Sequence, residues 1–170
     1  MKKIIAVTLI LLFTSIARAE GWKLGQFISV KPPADLDLTF QVMEAYDPNE
    51  EILVGWIGEE LDFLMVVDEQ PGGLDNKAYW RGLENEYKKI TDDGKLNVLK
   101  EGQYETDLGV PVSYKVFLWV SDGERNLQII HLVKNQQIAY WVMLSPQSIE
   151  RADLNLESSI KVLKTAQLFK

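Results

Sequence analysis

Hydrophobic and polar positions along this chain follow first no period, then a period of two, then a helical one, and each change marks a new element. From Ile4 to Phe13 the sequence is apolar except for Thr8. From Trp22 onward short stretches alternate, as expected for strands with one buried face. A first strand is predicted near 24–31, ended by Lys31-Pro32-Pro33, because proline cannot donate to a ladder and restricts the residue before it. Leu38, Phe40 and Val42 alternate with Thr39, Gln41 and Met43, and Asp47-Pro48-Asn49-Glu50 reads as a turn. Ile52 to Ile57 and Leu61 to Val67, separated by Gly58-Glu59-Glu60, predict a hairpin. Pro71-Gly72-Gly73 breaks the chain again.

The period then becomes helical. Tyr79, Trp80, Leu83, Tyr87 and Ile90 share a stripe, with Arg81, Glu84, Glu86 and Lys88 on other faces. This predicts a helix over 75–92 with Asp75 as N-cap and Gly94 as its stop. Gly82 inside it is worse than alanine by about 1 kcal/mol, which suggests a close packing contact there. Four strands follow, over Lys95–Thr106, Val112–Val120, Asn126–Lys134 and Gln137–Leu144. The last three form a meander, joined at Ser121-Asp122-Gly123-Glu124 and at Asn135-Gln136. Both alternating faces are apolar: Tyr114, Val116 and Leu118 oppose Phe117 and Trp119, and Trp141 and Met143 oppose Tyr140, Val142 and Leu144. A sheet wetted on one side would not show this, so both faces are expected to be covered. One cover is the helix at 75–92. The other is a closing helix whose stripe is Leu156, Ile160 and Leu163, backed by Val162 and extended by Ala166 or Gln167. Its cap is read as Asp153 or Asn155, and Lys161 and Lys164 complement the dipole at its end. The fold class is α+β: a central antiparallel sheet flanked by helices, an α/β/α sandwich, with no internal repeat and no linker to a second domain.

The apolar run at the start has a different meaning. Lys2 and Lys3 precede it, and Ala17-Arg18-Ala19 supplies the small-x-small pattern read before Glu20. About ten apolar residues are too few for a spanning helix of roughly 20. Residues 1–19 are therefore expected to be a cleaved Sec signal peptide, with Ala17, Ala19 and Glu20 marking the cleavage site and 20–170 forming a single domain in the periplasm or outside the cell. Cleavage removes Lys2, Lys3 and Arg18, which leaves 15 Lys and Arg against 25 Asp and Glu, a net charge of about −10. Such a surface repels nucleic acid and anionic lipid, and no later apolar run approaches spanning length. The chain has no cysteine, so there is no lipoprotein anchor, disulfide, thiol nucleophile or thiolate metal site, and burial alone must hold the fold.

Little remains for catalysis. The single histidine, His131, lies mid-strand on a face with Leu127, Ile129 and Val133, and is read as a half-buried residue hydrogen-bonded within the sheet. The acids at 47–51 and in Glu59-Glu60-Leu61-Asp62 lack the D-x-[DN]-x-[DN]-G spacing of a calcium loop, and are read as solvated turns. No serine has a G-x-S-x-G context, and there is no phosphate loop. Catalytic, cofactor and metal sites are thus assigned to no residue. Most of the five tryptophans are expected in the core, since Trp80 lies on the helix stripe and Trp119 and Trp141 on strands. Trp56 stands apart in Gly55-Trp56-Ile57-Gly58 beside Glu59 and Glu60, and this hairpin tip is the candidate partner-binding feature should the indole be exposed rather than packed beneath the hairpin.

The order of elements, an early helix, the strands from Tyr114 to Leu144 ending in Gln137-x-x-Tyr140-Trp141-Val142, and a helix carrying Leu156, Ile160 and Leu163, resembles the Mog1/PsbP-like fold, with the apolar hairpin at 52–67 as a departure. The resemblance covers most of the chain after the leader. It implies an antiparallel sheet between helices and a protein-binding rather than catalytic role, and it supplies no catalytic residues. The expected function is a non-catalytic periplasmic binding or accessory domain whose partner is a protein or envelope component. A carboxylate-dependent hydrolase of envelope material and an inhibitor of a secreted enzyme are the alternatives. The oligomeric state is left open.

Overall fold

A computed structural model describes residues 22–24, 28–31, 39–43, 50–57, 60–70, 72–137 and 139–168. Among the described residues, ten strands and two helices run in the order β1 (Trp22–Leu24), β2 (Ile28–Val30), β3 (Thr39–Met43), β4 (Glu50–Ile57), β5 (Glu60–Gln70), α1 (Asn76–Ile90), β6 (Asn97–Glu105), β7 (Pro111–Ser121), β8 (Glu124–Lys134), β9 (Ala139–Leu144), α2 (Ile149–Lys164) and β10 (Gln167–Leu168). Seven strands form one antiparallel sheet, in the order β3-β4-β5-β9-β8-β7-β6. It consists of two meanders, β3-β4-β5 and β6-β7-β8-β9, joined where β5 pairs with β9. The hairpin that departs from the resemblance is therefore continuous with the sheet, since β5 pairs with β9 from Met65 to Gln70. The single strand expected near 24–31 is two short ones, β1 and β2, paired with each other and with β10 in a separate three-stranded sheet.

Each face of the large sheet meets one helix. On one face Phe117, Trp119, Ile130, Leu132 and Trp141 pack under Tyr79 and Trp80 of α1, with Trp80 and Trp141 ring centres 4.9 Å apart. The Trp80 indole N–H donates to Ser113 Oγ at 2.9 Å, so the buried ring keeps its polar handle satisfied. On the other face Val116, Ile129, Val133, Val142 and Leu144 meet Leu156, Val162 and Leu163 of α2. The apolar residues predicted on opposite faces of the strands do serve two cores.

The helix ends show where local chemistry was and was not readable. Asp75 caps α1 as expected, accepting from the Ala78 N–H at 2.7 Å. Ile90, expected in the stripe, closes the last turn of the helix and is 56% exposed. Gly82 has open space where a side chain would begin, which contradicts the close contact expected there. In α2 the cap is Ser148, which accepts from the Arg151 N–H, rather than Asp153 or Asn155. Those two lie inside the helix, Asp153 paired with Lys100 and Asn155 buried. The Asp122-Gly123 turn between β7 and β8 has positive φ at both residues, 53° and 77°, as a primed two-residue hairpin turn demands.

Candidate functional site

His131 is completely buried, more so than the half-buried reading allows, and its partners come from two other elements. On one side Nδ1 lies 3.2 Å from the Tyr104 hydroxyl of β6, and on the other Nε2 lies 2.9 Å from Ser159 Oγ of α2. The Ser159 hydroxyl also donates to the Leu156 carbonyl at 2.9 Å. With that proton engaged, Ser159 can only accept from His131, which assigns the ring proton to Nε2 and leaves Nδ1 to accept from Tyr104. Protons thus run one way, from Tyr104 through His131 and Ser159 to the backbone of α2. The direction is opposite to that of a serine nucleophile, whose proton must point at the imidazole. Burial without a charged partner pushes the imidazole pKa down to about 3 and the Tyr104 phenol well above its usual range. The ring is a neutral tie between sheet and helix. Tyr114 and Tyr104 stand with their ring centres 5.9 and 6.0 Å from it.

A second polar group lies on the α1 face. Lys115 of β7, only 18% exposed, places its ammonium 2.7 Å from Glu84 of α1 and 3.3 Å from Glu101 of β6, and 5.4 Å from the Trp80 ring centre. Burial alone would lower its pKa, but the Glu84 and then the Glu101 carboxylates more than offset this and hold it above the ordinary value. Further along the same edge Asn76, Gln103, Tyr104, Glu105, Pro111 and Val112 line an open cleft of about 280 Å3. Glu105 is the one carboxylate among these six. Where α1 ends, Asp92 grips the β7–β8 turn: its carboxylate accepts from the N–H groups of Asp122 and Gly123, each at 2.9 Å, and its own N–H donates to the Val120 carbonyl. Among the described residues no three His, Asp or Glu side chains gather as a metal site would require, and no helix is long and apolar enough to cross a membrane.

The residues singled out from sequence fare unevenly. The backbone of Trp56 pairs with Thr39 and Leu61, next to a register shift at Gly55, and Glu60 opens β5 opposite Ile57. The side chains of Trp56 and Glu60, and Glu59 altogether, lie outside the described residues, as do Ala17, Ala19 and Glu20. The structure adds Tyr104 and Ser159 as partners of His131. Ser159 left a trace in the sequence, a polar residue three positions after Leu156 and four before Leu163, inside the apolar stripe.

No protein-family model matches the chain, nor does any curated protein. Solved structures do. CyanoP, the PsbP protein of the cyanobacterium Synechocystis sp. PCC 6803, aligns over 89% of this chain and 99% of its own at 10% identity, with a TM-score of 0.51. LpqN of Mycobacterium tuberculosis, described as involved in cell envelope biogenesis, aligns over 89% of this chain and 86% of its own at 8% identity, with a TM-score of 0.48. At such identities a likeness speaks to fold alone. The two-faced antiparallel sheet, the helix on each side and the alignment with CyanoP together establish that this chain has the Mog1/PsbP-like fold.

Proposed function

We propose that this chain is an exported, non-catalytic binding or accessory domain that works on a protein or envelope component in the periplasm. The observation that carries the reading is the use made of His131: the residue best suited to acid–base work at neutral pH is fully buried and ties α2 to the sheet through Tyr104 and Ser159. The chemistry offered to a partner is then that of the surface. The leader pattern, Lys2-Lys3, the apolar run and Ala17-Arg18-Ala19, supports export. Chemical crosslinking of the native protein in its envelope fraction, followed by mass spectrometry of the adducts, tests the proposal. The expected result is one recurrent protein adduct that persists in a Ser159→Ala variant, whose defect is confined to stability. Recovery of no adduct above an unrelated exported control would overturn it.

A further inference from the structure

Among the described residues β6 ends the large sheet, paired with β7 alone. Its two halves differ. Near Asn97 the register slips between Val98 and Lys100, and Lys100 is drawn to Asp153 at 2.6 Å. A bulge and an engaged lysine both obstruct addition of another strand. From Glu101 to Glu105 the pairing with β7 is regular, residue for residue. Every second residue of that stretch turns its N–H and C=O away from β7, and among the described residues no other strand pairs with those groups where the obstruction has ended.

Beside this edge, on the face of Lys115, carboxylates outnumber ammonium groups among the described contacts. Glu101 faces Lys115 across the ladder, and by alternation Gln103 and Glu105 share that face, the one covered by α1. Three carboxylates, from Glu84, Glu101 and Glu105, stand along it with the ammonium of Lys115, which already pairs with the first two. Glu105 opens on the cleft with Gln103 and Asn76. Free backbone groups ask for an extended chain, and the carboxylate excess asks for cations on alternate side chains. A second copy is the wrong occupant. Antiparallel self-pairing of 101–105 would centre on Gln103 and set Glu101 opposite Glu105 twice, a like-charge pairing that destabilises a ladder.

We infer that the 101–105 edge of β6 receives an extended basic segment of a partner protein as an added strand, with a lysine or arginine side chain seated in the cleft against Glu105. The inference rests on the binding reading above and adds the place and the chemistry of the contact. Titration of the 15N-labelled protein, purified as the cell produces it, with a blocked seven-residue peptide of alternating lysine and threonine tests it at low salt. Amide shifts should concentrate in 101–105 and at Asn76, weaken at least tenfold in Glu105→Lys, and vanish when the peptide's alternate backbone nitrogens are methylated. Glu105→Gln, which keeps the surface shape, should fall between. Equal binding by the methylated peptide, the same shifts with spermidine, or an unchanged affinity in Glu105→Lys would overturn strand addition. A crosslinked partner mapped to another surface would defeat this inference and leave the binding reading standing, whereas absence of any partner would defeat both.

Discussion

At the scale of single residues, His131 gives the most distinctive expectation. Its folded pKa of about 3 lies below the ordinary value of 6.5, so the unfolded chain binds the extra proton first. Its contribution is complete above pH 6.5 and is lost as pH falls from there toward 3, on the order of a few kcal/mol in all. Carboxylates titrate near about 4, so the window between about pH 5 and 6.5 belongs to the histidine. Denaturant unfolding across that window should show stability falling with acid in the wild type and staying level in His131→Gln, which should be less stable at pH 7; a level wild-type profile would contradict the buried neutral ring. Two glycines make opposite predictions. A side chain at Gly102 would begin 2.7 Å from the Tyr114 ring, which lies across it on the neighbouring strand, so Gly102→Ala must displace that ring and should lower the melting temperature. At Gly82 nothing stands within 4 Å, so Gly82→Ala should raise stability by up to about 1 kcal/mol through helix propensity alone. Thermal unfolding of both variants checks the pair.

At the scale of elements, two clasps hold the helices, and sequence reading found them to different degrees. Asp75 was legible as the α1 cap because an acid directly precedes the helical period. Ser148 was not, since the apolar stripe of α2 becomes regular only at Ala152 and the first turn, with Ile149 exposed and Glu150 charged, resembles loop. Ser148→Ala should cost about 1 kcal/mol, as loss of an N-cap does, whereas Asn155→Ala should show no capping effect. The grip of Asp92 on the β7–β8 turn joins residues 30 and 31 positions apart, which no local pattern can announce. Asp92→Ala should destabilise by about 1–2 kcal/mol and Asp92→Asn by less, since an amide oxygen keeps one of the two acceptors. The central strands and both helices were readable because their periods are enforced by two separate cores. The β1-β2-β10 sheet was not, because strands of two or three residues are too short to show a period. For the same reason of distance the His131 tie was half legible: the strand position could be read, but Tyr104 and Ser159 arrive from 27 residues before it and 28 after it.

At the scale of the whole molecule, the two helices cover both faces of the sheet over β7, β8 and β9, and among the described residues no strand pairs with the outer edge of β6, so the faces account for stability and the edge for the proposed contact. The proposed export makes its own prediction: the protein recovered from its host should begin at Glu20, and an intact mass that retains Met1 would remove the export reading and the periplasmic partner with it. The charge that the proposed cleavage would leave, about −10, predicts that the contact weakens as salt rises, because screening shortens the reach of the surface field to about 8 Å at physiological ionic strength. The most direct measurement is site-directed photocrosslinking in living cells, with a photoreactive residue at position 103 on the β6 edge or at position 81 on the outward face of α1. A discrete protein adduct from position 103, lost when Glu101 and Glu105 are reversed to lysine and absent from position 81, is the predicted result; adducts from both positions alike, or from neither, would contradict it.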